Sequence, residues 1–409
     1  MKPPRILIFT SAHLCRNPRV VKEATTLGAA GFDVTVLTVS THERFERFDR
    51  ELLRGAPFRR VTLDYSLNSW RMRTADIAQR TSTWLARKLN RHLHIESPQA
   101  LGPAHALLAR ALREPADLTI VHTEIPIWAA CSLIREGRRV AVDVEDWYSE
   151  DLLYRDRLAR PLRLLRDSEA FSLRNAVYSS ATSQSMADAL TRSLACPPPI
   201  VIRNTFPLQA KSRLDRPTDG KPPRFIWFSQ TVGPGRGLEL FLAAWSRTRQ
   251  PSQLYLLGDE RPGYRDKLME LLPAHRRSDL RFLPIVTPAQ LPVRLAEFDL
   301  GLALEPRWPL NRDVTISNKI FQYMNAGLAV VATTTAGQRE VMEAAPDCGL
   351  LVKANHTTAL AAQLDEVLAS PARLRAMQQA SRRAAEQMFC WEREEPRLIA
   401  AVNQALRPS

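Results

Sequence analysis

Short apolar runs separated by amphipathic stretches set the pattern of the first 200 or so residues. The runs are R-I-L-I-F-T at 5–10, F-D-V-T-V-L-T at 32–38, L-T-I-V-H at 118–122, R-V-A-V-D-V at 139–144 and A-V-Y-S-S at 176–180. Each is short and dominated by apolar residues, most of them β-branched or aromatic, which predicts a buried strand. Residues 20–30, between the first two runs, repeat their apolar positions at helical spacing. Strands alternating with helices predict βαβ units and a parallel sheet covered on both faces. The pattern pauses after Pro197, Pro198 and Pro199 and resumes with strands at 224–229, 253–257, 280–283, 299–304 and 328–332. Beyond 357 the chain reads as helix. The expected organisation is a domain at 1–196, a proline-rich linker at 197–223, a second domain at 224–385 and a helix at 386–409 that crosses back to the first. The fold class is therefore α/β, with two doubly wound domains facing across a cleft.

In doubly wound sheets ligands bind beyond the carboxyl ends of the strands, so the loops after strands carry the candidate chemistry. The stretch S-N-K-I-F-Q-Y-M-N-A-G-L-A-V-V-A-T at 317–333 predicts a short helix stopped by Gly327 and followed by a buried strand. Ser317 stands at its cap, and free N–H groups beside Lys319 make that end suited to an anion. In F-S-Q-T-V-G-P-G-R-G-L-E, Gly233, Gly235 and Gly237 let the backbone turn closely around a phosphate while Arg236 binds it bidentately. Two anion-suited loops on neighbouring strand ends suggest a diphosphate.

The first-domain loops are more open in meaning. S-A-H-L-C-R-N-P-R-V contains no glycine, which argues against an NAD(P) fingerprint. It offers His13, Arg16, Asn17 and Arg19 before a helix starting near Pro18, either as substrate or phosphate contacts or as a solvated basic turn. His122 stands at a strand end, where it either meets substrate or serves the fold. D-V-E-D-W-Y-S-E-D offers Asp143 and Glu145 as cleft candidates, while Ser149, Glu150 and Asp151 suit a helix cap.

Composition changes the picture in one respect. Hydrophobic residues make up 45% and charged residues 24%, ordinary for a globular protein, and no apolar run has the length needed to cross a bilayer. The start M-K-P-P-R leads at once into a strand-like run, unlike a signal peptide, and the expected location is the cytoplasm. Five scattered cysteines have no metal or redox spacing. The net charge, however, is +14, and 49 of the 57 basic residues are arginines. Such a surface favours anionic partners, unless it simply reflects an arginine-rich genome. A nucleic-acid partner is not expected, since no recognised nucleic-acid-binding motif is present.

N-K-I-F-Q-Y-M-N-A-G-L-A-V-V at 318–331, followed by A-G-Q-R-E-V and C-G-L-L-V, closely resembles the nucleotide-sugar half of the retaining glycosyltransferases of family 4, also called group 1, with a GT-B fold. N-P-R-V-V-K-E-A at 17–24 and G-F-D-V-T-V-L-T at 31–38 resemble the opening of their acceptor half. The resemblance implies two Rossmann-like domains and a nucleoside diphosphate sugar as donor; no cofactor is expected, and no metal is needed if Arg236 and Lys319 supply the positive charge. It implies that Arg236 and Lys319, with Gly233, Gly235, Thr315, Ile316 and Ser317, hold the diphosphate, that Gln322 faces the ribose and that His122 lies near the transferred sugar. It puts His13, Arg16, Asn17, Asp143 and Glu145 on the acceptor side. The family often carries two glutamates eight positions apart; here those slots hold Val314 and Gln322. A glycan or lipid-linked acceptor is implied, in cell-envelope or exported glycan synthesis. The competing readings are a nucleotide-sugar epimerase of the same fold and a non-catalytic nucleotide-sugar binding subunit. Residues 70–94 combine Trp70, Ile77, Trp84, Leu85 and Leu89 with Arg71, Arg73, Arg80, Arg87, Lys88 and Arg91. That composition suits a helix lying on an anionic membrane, or one packing its tryptophan side into the domain.

Overall fold

The computed structural model describes residues 2–65, 70–216, 220–353 and 356–407. The chain divides into two compact units, Met1–Ile202 with Glu395–Ser409, and Arg203–Glu394.

The first unit is built on a seven-stranded parallel sheet in the order β3-β2-β1-β4-β5-β6-β7. Its strands are β1 Arg5–Phe9, β2 Asp33–Ser40, β3 Arg59–Asp64, β4 Leu118–Val121, β5 Val140–Val144, β6 Tyr178–Ala181 and β7 Ile200–Val201. β1, β2, β4 and β5 are buried almost throughout, as strands covered on both faces must be. The strand order reverses between β1 and β4, so the loops after these two strands flank the crevice of this sheet. The helix Pro18–Ala29 starts where Asn17 accepts the Val20 N–H and proline occupies its first turn. β7 lies within the stretch that reads as linker: although prolines precede it, Ile200 and Val201 still pair with Ser180 and Ala181. The long helix Trp70–Leu93 leaves Ile77, Trp84 and Leu85 exposed at 61%, 60% and 50%. The side chains of Trp70, Arg71 and Arg73 lie outside the described residues.

The second unit has a six-stranded parallel sheet in the order β10-β9-β8-β11-β12-β13. Its strands are β8 Arg224–Val232, β9 Gln253–Glu260, β10 Leu280–Leu283, β11 Leu300–Ala303, β12 Ala329–Thr333 and β13 Gly349–Val352. Successive residues of β8 serve opposite faces: Phe225 and Trp227 pack with Phe241, Trp245 and Leu256, whereas Ile226 packs with Phe321, Tyr323 and Met324. Here the order reverses between β8 and β11, the two strands whose following loops carry the candidate anion contacts.

The helix Asn318–Asn325 ends as its sequence predicts. Gly327 takes φ +71°, the Leu328 N–H donates to Tyr323 O at 3.0 Å and the Gly327 N–H to Met324 O at 3.0 Å. This left-handed stop turns the chain directly into β12.

Candidate functional site

The two loops singled out in the second unit come together. Lys319, only 8% exposed, points its Nζ at Glu305 Oε1 at 2.9 Å, with Ser317 Oγ at 3.5 Å and the Trp227 ring centroid at 5.6 Å. Arg236 Nη1 lies 4.0 Å from Glu305 Oε2, its side chain 39% exposed. Arg312 Nη1 donates to Gly235 O at 2.5 Å and so ties the loop after β8 to the segment after β11. Lys319 and Arg236 therefore flank one carboxylate at the point where the strand order reverses, and the charge of Arg312 also acts on it. Burial acts to raise the Glu305 pKa, but Lys319, Arg236 and Arg312 outweigh it and hold the carboxyl below its ordinary value.

Backbone geometry makes this possible. Gly235 and Gly237 take φ +75° and +76°, and a Cβ on Gly237 would stand 2.9 Å from Leu304 Cβ. The loop can thus turn tightly against the end of β11 only with glycine there. Gly233 needs no such conformation. Ser317 occupies the N-cap position with extended backbone but caps no N–H; its hydroxyl instead donates to Glu305 at 3.3 Å. Thr315 donates to Asn311 Oδ1 at 2.9 Å, Ile316 is buried in the core, and Val314 is buried beside them. Gln322 is half-buried, and its Oε1, buried and without a hydrogen-bond partner among the described residues, can accept from a hydroxyl.

Glu305, Arg312 and Thr333 were not distinguished in the sequence. Glu305 is held at its main chain: its N–H donates to Thr333 Oγ1 at 2.9 Å, and that hydroxyl donates to Glu305 O at 2.7 Å. Gln338 Nε2 in turn donates to Thr333 O at 2.9 Å. The arrangement as a whole can bind a multiply charged anion and stabilise charge growing on it.

In the first unit, the candidate residues at the ends of β1, β4 and β5 form buried networks. Arg19 grips Asp143 with Nε to Oδ1 at 2.8 Å and Nη2 to Oδ2 at 2.5 Å, and Ser180 Oγ adds a bond to Asp143 Oδ2 at 2.6 Å. His122 is completely buried, with Nε2 3.0 Å from Glu23 Oε2 and Nδ1 3.4 Å from Asp143 Oδ1, close enough for ion pairing though not aligned as hydrogen bonds. Burial opposes the imidazolium, but Glu23 and Asp143 overcome it and carry the His122 pKa to about 10. Lys22, by contrast, is lowered to about 7 by burial and by Arg19. Glu145 is half-buried at the rim of this cluster, and burial raises its pKa.

His13 accepts the Thr41 N–H at Nε2 (3.0 Å), which leaves its proton on Nδ1 to donate to Asp49 at 3.0 Å. Asn17 is used as the helix cap, and Arg16 is exposed over the Phe45 ring at 5.1 Å. Ser149 does not cap the expected helix. Residues Tyr148–Glu150 form a single 3-10 turn, and the Ser149 N–H and Oγ both donate to buried Glu169, at 3.0 and 2.5 Å. Thr123, next to His122, has φ 65° and ψ 166°, a region that favours glycine, and is tied by its hydroxyl to Ser11 N at 3.1 Å. Strain of this kind is concentrated at functional sites.

Residues 222–370 match the family described as glycosyl transferases group 1, and residues 17–205 match the glycosyl transferase 4-like domain. No curated protein matches the sequence. Among solved structures, sucrose-phosphate synthase from Thermosynechococcus elongatus is 17% identical with a TM-score of 0.71, covering 98% of each chain. Anabaena HepE in complex with UDP-glucose is 16% identical with a TM-score of 0.67, over 98% of this chain and 99% of that one. WaaG, a glycosyltransferase involved in lipopolysaccharide biosynthesis, is 13% identical with a TM-score of 0.62, over 97% and 99%. At these identities the likeness is one of fold.

Proposed function

Because the chain belongs to the GT-B glycosyltransferases of group 1, we propose that it moves a hexosyl group from a nucleoside diphosphate sugar to an acceptor hydroxyl with retention at the anomeric carbon. The observation that carries the donor reading is the convergence of Lys319, Arg236 and Arg312 at the reversal point of the second sheet, beside the start of the helix Asn318–Asn325. The difficult step of such a transfer is departure of the diphosphate. Cations fixed in a largely buried site stabilise the charge that grows on the leaving oxygen, with little reorganisation at the moment of reaction. Lys319 and Arg236 take that role. Arg312 holds the glycine loop in the shape that presents Arg236 and the N–H groups around Gly235, while Thr315 and Ile316 carry the chain past the phosphates. Gln322 accepts from a ribose hydroxyl, and its unpartnered Oε1 supports this.

His122 in this reading is a positioning residue. Its full burial and its place between Glu23 and Asp143 suit it to hold the floor of the acceptor side rather than to touch the sugar. His13 and Asn17 brace the loop after β1, and among the candidate residues there Arg16 is exposed and Glu145 half-buried. The acceptor is a glycan or lipid-linked glycan of the cell envelope or of exported polysaccharide. The exposed Ile77 and Trp84 beside Arg80 and Lys88 support peripheral attachment at the cytoplasmic face of an anionic membrane. No helix among the described residues is long and apolar enough to cross one.

The test is turnover. Radiolabelled UDP-, GDP- and ADP-sugars are supplied with lipid or glycan extracts, and the anomeric configuration of the product is read by NMR. Transfer with retention supports the proposal. Inversion contradicts the mechanism, epimerised donor without transfer contradicts the reaction, and binding without turnover points to a non-catalytic subunit.

A further inference from the structure

We propose that Glu305 is a resident counter-anion of the donor site, which sets how tightly the leaving nucleoside diphosphate is held after transfer. This rests on the donor reading above. In a transferase whose substrate and product carry the same diphosphate, every cation that helps the leaving group depart also slows its release. The structure has an anion inside the cationic cluster that meets this conflict. Glu305 Oε1 receives Lys319 Nζ at 2.9 Å and Ser317 Oγ at 3.3 Å, and Oε2 faces Arg236 at 4.0 Å. The carboxylate is 8% exposed, so water screens these interactions weakly.

Two further observations argue that Glu305 is built into the site. Its main chain is locked on both sides by Thr333, which Gln338 braces, and all these contacts are buried. Ser317, at the helix cap, aims its hydroxyl at Glu305 and leaves the first N–H groups of the helix without a side-chain cap. The same groups that would receive phosphate oxygens are thus arranged around a fixed carboxylate. With Glu305 ionised, the three cations carry a net charge of about +2 in place of +3. Held below its ordinary pKa, the carboxyl keeps that charge at neutral pH. A diphosphate then exchanges part of its contact to Lys319 with an anion that never leaves, and its dissociation is faster for it.

Calorimetric titration of the wild-type protein, Glu305→Gln, Glu305→Ala and Glu305→Asp decides the matter, with inorganic pyrophosphate and with UDP, GDP and ADP as probes at low and high salt. The neutral variants should bind pyrophosphate and the preferred nucleotide about tenfold more tightly. They should also show a steeper salt dependence, a lower kcat at saturating donor and stronger product inhibition. Glu305→Asp, which keeps the charge, should stay near wild type in affinity. A residue that merely props the loop would give the opposite sign: equal or weaker binding in whichever of the two neutral variants folds overturns the proposal. If wild-type protein binds none of the probes, the donor reading itself fails, and this proposal falls with it.

Discussion

Lys319 is a nearly buried cation whose nearest partner, Glu305, is an equally buried anion, so its removal has two separable effects. Lys319→Ala and Arg236→Ala should each lower kcat/KM by about ten- to a hundredfold, the loss of one charge-assisted hydrogen bond to the diphosphate. Only Lys319→Ala should also destabilise the fold, by about 3 kcal/mol, because it strands a buried carboxylate; Arg236 is half-exposed. Thermal melts and steady-state kinetics on both variants check this, and full activity in either removes that residue from the clamp. Gln322→Ala should raise the donor KM more than it lowers kcat, since a ribose contact binds ground and transition states alike; a large fall in kcat would place Gln322 at the chemistry. His122 makes a prediction about pH. Glu23 from the helix Pro18–Ala29 and Asp143 from β5 face it, with Arg19 gripping the same Asp143, and its folded pKa of about 10 lies above the ordinary 6.5. Its contribution to stability is therefore complete below pH 6.5, declines as pH rises and is lost above about 10. His122→Gln should be less stable than wild type by about 3 kcal/mol near pH 6. In denaturant melts the gap should shrink across that window, and a gap independent of pH would contradict the charged pairing.

At the scale of elements, most strands and the helix Asn318–Asn325 were legible because their signals are local: short runs rich in apolar residues, a glycine at the stop and a strand immediately after; β3, β7 and β13 were not read as strands, β3 and β7 being edge strands and only part-buried. Boundaries shifted by up to three residues, β8 and β9 each running three residues past the expected end; the run at 328–332 forms the strand Ala329–Thr333 because the Leu328 N–H takes part in the helix stop. Glu305 was not legible, since a single glutamate after an apolar strand acquires meaning only from Lys319, fourteen positions on, and from Arg236 on another loop. Glu23 was hidden in the same way inside an amphipathic helix, and its partner His122 is set by the neighbouring strand end. For the helix Trp70–Leu93, sequence left open whether its tryptophan side packs inward. Trp84 and Ile77 face solvent instead, with Ala86 and Asn90 buried on the opposite side. Lys88 lies 5.8 Å from the Trp84 ring and Arg80 is exposed on the same helix, and the proposed contact with anionic headgroups rests on these residues. The protein should sediment with anionic but not neutral liposomes, less at high salt. An Ile77→Ser/Trp84→Ser variant should lose most of this binding while keeping its melting temperature. Equal binding of wild type to both liposome types, or to neither at low salt, would remove the membrane from the account.

For the molecule as a whole, two doubly wound units each end their central strands in a polar cluster, but the clusters differ in kind. In the first unit, Arg19, Glu23, His122 and Asp143 neutralise one another in the interior. In the second, cations exceed anions, Arg236 reaches solvent, and a buried Gln322 oxygen has no hydrogen-bond partner among the described residues. That asymmetry leads to the central claim, that the second unit binds a nucleoside diphosphate through Lys319 and Arg236. The most direct measurement is the melting temperature of wild type, Arg236→Ala and Lys319→Ala, each with UDP, GDP and ADP. A ligand at a hundred times its Kd stabilises by about 2.7 kcal/mol. The account predicts that one of the three nucleotides raises the wild-type melting temperature by several degrees and that the same concentration raises it little in either variant. No shift with any nucleotide, or an equal shift in wild type and both variants, would contradict it.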